Sequence, residues 1–206
     1  MSDFTTRIAG HDVEFFEDGH VYLVDGIIVP SITQILQVRF GHKYKDVPRD
    51  VLAQASKKGV ELHSAIEAYA QTGIVPPRGI APDELYNFIF LQRIHKFEIV
   101  ESEKPVILFA DGEPFAAGRL DLVIKEGDRI GGADIKSTAT LDKEYLAYQL
   151  NLYRIAYKQS YGVEWQFLRG IHLRGAQRKY AEIPINEYLV NDIIEQYRRE
   201  QDNEQN

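Results

Sequence analysis

Alternating apolar and polar positions mark the start of the chain as strands. The stretches "DVEFF", "HVYLV" and "GIIV" follow one another, with a turn signal at Asp25-Gly26 before the last. Short runs of this kind, separated by turn residues, are typical of β-hairpins. The sequence predicts a β-hairpin lead-in over residues 1–40, closed by a short helix, "ITQILQ", for which Ser31 is the expected N-cap.

Strand patterns return in the middle of the chain and near its end. Three strands are predicted over residues 98–110, 115–125 and 129–136, because turn signals at Asp111-Gly112 and Gly127-Asp128 separate them. Two more strands are predicted in "EWQFLRGIHL" and "KYAEIPI".

Helical spacing of apolar residues fills the intervals between these strands. Helices are predicted over residues 48–71, 82–97 and 141–161 and from residue 187 onward. Gly73 and Gly162 are the expected stop signals of the first and third of these. The second should bury a stripe formed by Leu85, Phe88, Ile89 and Ile94.

This order of elements predicts an α/β fold, a mixed β-sheet flanked by helices. A chain of 206 residues suits one domain, expected over residues 1–200 with residues 48–162 as its core. The polar residues 201–206 are expected to form a frayed tail.

Composition narrows the chemistry that the chain can perform. It has no cysteine, which excludes disulfides, thiolate zinc sites, cysteine nucleophiles and cysteine-ligated iron–sulfur clusters. Any metal must bind carboxylates, imidazoles and carbonyls, which favour hard ions such as Mg²⁺ or Mn²⁺. No apolar run approaches the roughly 18 residues of a membrane span. The acidic start lacks an apolar signal core, so we expect a cytoplasmic protein.

The formal net charge of −7 argues against a nucleic-acid partner, since such proteins usually carry a basic surface. Charge distribution matters more than the sum, however. Residues 162–180 hold Arg169, Arg174, Arg178 and Lys179 against Glu164 alone. A basic patch there and an ordinary mixed surface are both compatible with the sequence.

The apolar strands of "GRLDLVIKEGDRIGGADIKS", residues 118–137, carry charged residues at positions where buried sheet favours aliphatic ones, namely Asp121, Asp134 and Lys136. Side chains alternate faces along a strand, so Asp134 and Lys136 should share one face while Ala133 and Ile135 point into the core. The preceding strand should place Asp121 beside Asp134. There, Leu120, Leu122 and Ile124 are expected on one face, and Arg119, Asp121 and Val123 on the other.

Two adjacent carboxylates repel each other, and a divalent cation between them removes that repulsion. A nearby lysine can orient the attacking water, help to deprotonate it and stabilise negative charge on a phosphate. The set suits metal-dependent phosphodiester hydrolysis. The alternative is a surface ion pair, because an acid, any residue and a lysine occur by chance roughly once in a chain of this length.

Polar residues at regular spacing accompany this set. Gly59, His63 and Glu67 share one helix face, although a lone histidine there is often structural. Glu101 and Glu103 share one strand face, where exposed edge carboxylates are the alternative. A further helix carries a stripe of Tyr145, Gln149, Tyr153 and Tyr157. This stripe also fits amphipathic packing, but its glutamine needs hydrogen-bond partners.

In this order, these residues resemble the PD-(D/E)XK nuclease superfamily, and within it the RecB-like exonuclease branch. The match covers most of residues 59–161 and runs through Gly59-x-x-x-His63-x-x-x-Glu67, Glu103, Gly118-Arg119-Leu120-Asp121, Asp134-Ile135-Lys136 and Gln149-x-x-x-Tyr153. The opening "HVYLVDGIIVPSITQIL" is similar to the lead-in of phage, prophage and mitochondrial genome-maintenance exonucleases. The chain departs from several members of the branch in lacking the four cysteines of an iron–sulfur cluster. It also lacks a GxxxxGK[ST] loop, which predicts a free-standing nuclease domain.

The resemblance implies a restriction-endonuclease-like core and a role for each matched residue. His63, Asp121, Asp134 and the backbone carbonyl of Ile135 would bind Mg²⁺ or Mn²⁺, and Glu103 would serve a second ion or its water. Lys136 would position the attacking water. The residues expected to support the site or contact nucleic acid are Glu67, Arg119, Gln149, Tyr153, Arg169, Arg174 and Arg178.

The function implied is that of a metal-dependent DNA exonuclease in phage or prophage recombination or DNA processing, in the cytoplasm of a bacterial or phage-infected host. A single-strand annealing protein would be its partner by resemblance, and a homo-oligomer would concentrate the basic patches. Two alternatives stay open: an endonuclease with the same chemistry, and a non-catalytic nucleic-acid- or protein-binding module built on a nuclease fold.

Overall fold

Four short strands at the start of the chain pair in sequence order as an antiparallel sheet. The computed structural model describes residues 3–45 and 47–204, and these strands are β1 Phe4–Ile8, β2 His11–Phe16, β3 Val21–Val24 and β4 Ile27–Val29. The last three were predicted. The prediction missed β1, because its middle residues, Thr-Thr-Arg, show no apolar alternation.

Five α-helices lie within a few residues of the predicted segments. They are α1 Ile32–Phe40, α2 Arg49–Thr72, α3 Asp83–His95, α4 Lys143–Tyr161 and α5 Glu187–Glu204. The predicted cap of α1 is confirmed: Ser31 Oγ accepts a hydrogen bond from the Gln34 N–H, and the Ser31 N–H donates one to the Gln34 side chain. The predicted stops are also confirmed, since Gly73 and Gly162 adopt left-handed conformations with φ of 67° and 72°.

The end of α5 differs from the prediction. The helix continues to Glu204, whereas the sequence predicted a frayed tail from Gln201. Gln205 and Asn206 lie outside the described residues.

A five-stranded mixed sheet forms the centre of the molecule. Its strands, in spatial order, are β5 Phe97–Ala110, β6 Glu113–Glu126, β7 Arg129–Lys136, β8 Leu168–Arg174 and β9 Gln177–Ile183. All neighbours are antiparallel except β7 and β8, which run parallel. A parallel pair needs a long crossover, and α4 lies within it. The predicted α/β fold with a mixed sheet is confirmed.

Helices cover both faces of this sheet. Apolar residues of α1, α4 and α5 form one core cluster with β5, β6 and β8, and those of α2 and α3 form another with β6, β7 and β8. The N-terminal sheet packs through Val13, Phe15 and Tyr22 against Ile107 and Ala117. None of the helices in the described ranges is long and apolar enough to cross a membrane.

Helix α4 is the most enclosed helix of the fold. Every residue from 146 to 154 is buried, so its tyrosine stripe and its apolar side are both covered. Two glycines of β7 make room for the segment that follows α4. A Cβ on Gly132 would lie 1.9 Å from the Trp165 ring, and one on Gly131 would lie 2.4 Å from the Phe167 carbonyl oxygen.

Two packing predictions were wrong. Ile94 of α3 is 60% exposed and Leu91 is buried instead. Nine residues of an α-helix make about two and a half turns, so Ile94 lies on the side of α3 opposite to Leu85, whereas Leu91 lies next to Phe88. Leu120 does not share a core with Leu122 and Ile124; it packs with the α1 and α4 residues, as Val123 does. The regular alternation of β6 is therefore interrupted at Asp121.

Candidate metal centre and active site

Three side chains from three separate elements converge where β6 loses its regular alternation. His63 of α2, Glu103 of β5 and Asp121 of β6 place one ligand atom each within 4.8 Å of one another. His63 Nδ1 lies 3.5 Å from both Glu103 Oε1 and Asp121 Oδ1. Ligand atoms around a hard cation with bonds near 2.1 Å are separated by about 3–4 Å, so this spacing fits a divalent ion.

The position of Asp121 follows from strand pairing. The β6–β7 ladder ends at the pair Leu122–Ala133, and beyond it Asp121 Oδ2 accepts a hydrogen bond of 2.7 Å from the Ile135 N–H. One carboxylate oxygen is therefore used to hold β7. The other, Oδ1, faces His63.

Glu103 lies opposite Asp121 in a strained backbone conformation. Its neighbours Ser102 and Lys104 pair with Leu122 and Leu120, and its φ is 51°. Such a value outside glycine costs about 1–3 kcal/mol and persists only where surrounding contacts impose it. Arg119 supplies one such contact, with Nε 2.8 Å from Glu103 Oε2. Local strain of this kind is concentrated at functional sites.

Glu101 was predicted to share the strand face of Glu103, but its contacts lead away from the cluster. It accepts a hydrogen bond of 2.7 Å from the Tyr157 hydroxyl and pairs with Lys104 at 2.6 Å. The positive φ of Glu103 separates the two carboxylates.

Asp134 and Lys136 form a buried ion pair beside the cluster. Lys136 Nζ lies 2.7 Å from Asp134 Oδ2, and the Asp134 side chain is only 4% exposed. Ala133 and Ile135 pack into the α2 and α3 core, as the alternation of β7 predicted. The carbonyl oxygen of Ile135 lies 3.3 Å from His63 Nε2, the ring nitrogen other than the one that faces Glu103 and Asp121.

The charged groups of the site shift one another's pKa values. Burial raises the pKa of Asp134 to about 6, with Asp121 adding to the effect and Lys136 opposing it. Burial lowers the pKa of His63, but the carboxylates of Asp121, Glu103 and Asp134 outweigh it and raise the value to about 9. Burial also lowers the pKa of Lys136, but Asp134 and Asp121 hold it above its usual value.

The tyrosine stripe of α4 borders the site on the other side of the sheet. Tyr153 donates a hydrogen bond of 3.0 Å to the Arg119 carbonyl, in a position that Gly118 leaves open. The Lys136 ammonium lies 5.6 Å from the centre of the Tyr145 ring. Between these two tyrosines on the helix, Gln149 is buried and its Oε1 has no hydrogen-bond partner among the described residues.

Other predicted residues lie further from the cluster. Glu67 accepts a hydrogen bond from Gln71 along α2 and is absent from the cluster of candidate ligands. Gly59 was expected to permit a close approach, yet a Cβ there would lie 3.7 Å from Ser137 Oγ, an ordinary contact distance.

The three arginines near the end of the chain have different surroundings. Arg169 is bound by Glu126 through two hydrogen bonds of 2.8 and 2.9 Å. Arg178 lies 4.0 Å from the Phe90 ring and donates to Asn87. Arg174 and Arg178 are both exposed and neither forms an ion pair among the described residues, but Arg174 has no ring contact or side-chain hydrogen bond there either. Arg174 differs from Arg178 in its position. It lines a cleft of about 1130 Å³ together with Lys58 and Ser137.

Sequence reasoning missed His172, which is 1% exposed on β8 and pairs in register with Lys136. The sequence did show a histidine among the apolar residues of the predicted strand "EWQFLRGIHL". The sequence did not show that β8 pairs in parallel with β7, which is what places His172 beside Lys136.

The sequence matches no protein-family model and no curated protein. Among solved structures, the chain is similar to the one titled "Crystal structure of SSO0001", with 16% sequence identity and a TM-score of 0.49 over 84% of this chain and 76% of that one.

Proposed function

We propose that this protein is a metal-dependent phosphodiesterase of the PD-(D/E)XK type that acts on DNA as an exonuclease. The observation that carries the proposal is the convergence of His63, Glu103 and Asp121 within 4.8 Å, next to the buried Asp134–Lys136 pair. Residues from α2, β5, β6 and β7 meet there in the order that the resemblance to RecB-like exonucleases implies.

The donor set fits a hard divalent cation, with Mg²⁺ as the proposed ion and Mn²⁺ as a substitute. His63 Nδ1, Glu103 Oε1 and Asp121 Oδ1 would bind it, with the Ile135 carbonyl and Asp134 nearby. The buried Asp134 Oδ2 has the Lys136 ammonium beside it but no well-aligned hydrogen bond, so this oxygen retains acceptor capacity. When bound, the cation would act as a Lewis acid on the phosphodiester.

Lys136 acts in this proposal as an ammonium group. The carboxylates beside it hold its pKa above the usual value, so it carries a proton at neutral pH. It donates hydrogen bonds that orient the attacking water and stabilise negative charge developing on the phosphate. Asp134 holds the ammonium in place, because its side chain is buried and its backbone pairs in register with Gly170 of β8.

The remaining residues orient the substrate. Arg119 is only 12% exposed and is held by Glu103, which places a permanent cation at the edge of the cluster. Gln149 offers a buried amide with an unused acceptor, which suits a donor group on the substrate or an ordered water. The cleft lined by Lys58, Ser137 and Arg174 does not include the proposed metal ligands, but Ser137 directly follows Lys136, so the cleft offers room for a strand of DNA that leads to the site.

A time course on end-labelled linear DNA and on closed circular DNA tests the proposal, with Mg²⁺ or with EDTA. The wild-type protein should shorten linear DNA in Mg²⁺, leave circles intact and do nothing in EDTA. Lys136→Ala should lose at least about a hundredfold in rate, since removing one group that stabilises a transition state costs that much. Lys96→Ala is the matched control and should behave as wild type, because Lys96 is exposed and precedes Phe97, which pairs with Glu126 at the end of β7 opposite to Lys136.

Each contrary result identifies a different error. Absence of cleavage of DNA and RNA by the folded protein in Mg²⁺ or Mn²⁺ would refute the enzyme and favour the binding module. Cutting of closed circles would show an endonuclease with the same chemistry. Cleavage that survives Lys136→Ala would mean that the catalytic group lies elsewhere.

A further inference from the structure

A buried histidine stands beside the proposed catalytic lysine on the neighbouring strand. His172 of β8 pairs in register with Lys136 of β7, and the two strands are parallel. Residues in register on adjacent parallel strands project from the same face of the sheet. His172 is 1% exposed, so the imidazole lies inside the protein next to the base of the lysine side chain.

The hydrogen bond of His172 fixes its tautomer. Nε2 lies 2.8 Å from the carbonyl oxygen of Thr138. A carbonyl can only accept, so Nε2 carries the proton and donates it. The other ring nitrogen, Nδ1, is buried and has no hydrogen-bond partner among the described residues.

This bond reaches the segment that joins β7 to α4. Within residues 137–141, Thr138 Oγ1 donates to the Thr140 carbonyl, and residues 138–140 are exposed. Among the described residues, His172 is the only side chain outside the segment that hydrogen-bonds to it. The segment begins directly after Lys136 and leads to Tyr145, whose ring lies 5.6 Å from the lysine ammonium.

Stability alone does not explain this histidine. A buried nitrogen without a partner is destabilising, and an apolar side chain of similar size would remove it. The Thr138 carbonyl belongs to an exposed residue and could bond to water instead. Burial of an imidazole at this position therefore favours a role in holding the segment after Lys136.

We propose that His172 is a positioning residue for Lys136: its Nε2–H holds the Thr138 carbonyl and keeps the segment 137–141, and with it the lysine, in the reactive arrangement. The proposal rests on the proposed function for its kinetic consequence. The structural part, that His172 immobilises the segment, stands independently.

The test compares His172→Leu, which removes the donor, with His172→Gln, whose side-chain amide nitrogen can reach the place of Nε2. His172→Leu should lower kcat by between about tenfold and a hundredfold, as small misplacements of reactive groups do, with KM within about twofold. Its unfolding temperature should be unchanged or higher. His172→Gln should recover most of kcat. Amide hydrogen exchange in residues 137–141, measured without metal or substrate, should be faster in His172→Leu and near wild type in His172→Gln.

Ser160→Ala is the matched control. Ser160 is also buried, and its Oγ bonds to both the N–H and the carbonyl of Ile107, away from Lys136. This variant should lose stability and keep kcat. A loss of kcat equal to that of His172→Leu would show a general packing effect and overturn the proposal.

Three further results would overturn it. These are wild-type kcat in His172→Leu, unchanged exchange in residues 137–141, and a loss of folding in His172→Leu that His172→Gln shares. If the wild-type protein cleaves no nucleic acid, the proposed function fails. Hydrogen exchange alone then decides whether His172 holds the segment.

Discussion

Asp121 accepts a hydrogen bond from the backbone N–H of Ile135, with 2.7 Å between Oδ2 and the nitrogen. The carboxylate thus continues the β6–β7 ladder beyond its last backbone pair and fixes the strand that carries Asp134 and Lys136. Its second oxygen lies 3.5 Å from His63 Nδ1. One side chain therefore connects the candidate metal ligands to the candidate catalytic lysine.

We expect Asp121→Asn to abolish stabilisation by Mg²⁺ while leaving the metal-free fold intact. An asparagine oxygen can still accept from the Ile135 N–H, but it lacks the charge that favours a hard cation. In the wild-type protein, Mg²⁺ at ten times its Kd should add about 1.4 kcal/mol to the free energy of unfolding. Urea unfolding in Mg²⁺ and in EDTA measures the difference. Asp128→Asn, in the turn before β7, should keep the full response, and an equal response in Asp121→Asn would exclude Asp121 as a ligand.

Lys136→Met should destabilise the protein, because it leaves the Asp134 carboxylate buried without its partner. Removal of one member of a buried ion pair typically costs about 3–5 kcal/mol, and the partial exposure of Lys136 should reduce that to about 2–3 kcal/mol. The double variant Asp134→Asn/Lys136→Met should regain most of the loss but no activity. Free energies of unfolding from urea titrations at neutral pH give both values. Equal free energies of unfolding for the single and double variants would mean that Asp134 and Lys136 do not form an ion pair in solution.

The metal-free protein should become less stable as the pH rises from about 6.5 to about 9. Burial lowers the pKa of His63, but Asp121, Glu103 and Asp134 raise it to about 9 in the folded protein, against 6.5 for an ordinary histidine. The folded state holds this proton more tightly, so the stabilisation is complete below pH 6.5 and lost as the pH passes 9. It amounts to at most about 3 kcal/mol.

Urea unfolding in EDTA across this pH window measures the effect, and His63→Asn should flatten it. Burial raises the pKa of Asp134 to about 6, so stability also falls as the pH rises from about 4 to about 6. His63→Asn should enlarge this lower step, because the charged imidazole lowers the pKa of Asp134. Metal binding should show the opposite trend, because a ligand imidazole must be neutral and Mg²⁺ affinity therefore rises over the same window. A pH profile identical in wild type and His63→Asn would place the titrating group elsewhere.

Two glycines of the motif should respond to alanine in opposite ways. Gly59 lies within α2, where a Cβ would meet only Ser137 Oγ at 3.7 Å, so Gly59→Ala should stabilise the protein by about 0.5–1 kcal/mol. A Cβ on Gly118 would lie 3.1 Å from the Tyr153 ring and 3.2 Å from Ile32. Gly118→Ala should therefore cost about 1–3 kcal/mol through overpacking. Thermal unfolding of both variants tests this, and a stabilised Gly118→Ala would show that Tyr153 moves freely.

Local signals explain which parts of the fold the sequence could predict. Ser31, Gly73 and Gly162 each act on the few residues beside them, so the ends of α1, α2 and α4 were predictable. The alternation of β7 also predicted that Asp134 and Lys136 share a face opposite Ala133 and Ile135. Strand β1 gave no such signal, because its middle residues are polar.

The missed features depend on contacts between distant segments. Glu103 has a positive φ and Leu120 changes its packing at the point where the β5–β6 pairing is irregular. No short sequence pattern predicts such an irregularity. The proximity of Gly132 to Trp165 and of Lys136 to His172 requires the parallel pairing of β7 with β8. Arg169 and Arg178 were expected to contact nucleic acid, yet Arg169 binds Glu126, and Arg178 contacts Asn87 and Phe90.

Gln149 should show the conflict between stability and function most directly. Its side chain is buried with Oε1 unpartnered, and such an atom costs about 1–3 kcal/mol. Gln149→Met keeps the length and removes the polar atom, so stability should stay equal or rise by about 1 kcal/mol. Cleavage should fall, because the amide then offers no hydrogen bond to the substrate or to an ordered water.

Asn151→Leu is the control on the same helix. Asn151 is equally buried, but its amide donates to the Ala147 and Pro184 carbonyls and accepts from the Asn186 N–H. Asn151→Leu removes these hydrogen bonds, so it should lower the free energy of unfolding by about 1–3 kcal/mol and leave the activity of the folded fraction intact. Paired measurements of unfolding and cleavage separate the two residues. If Gln149→Met loses stability as Asn151→Leu does, the amide is satisfied within the protein and its role is structural.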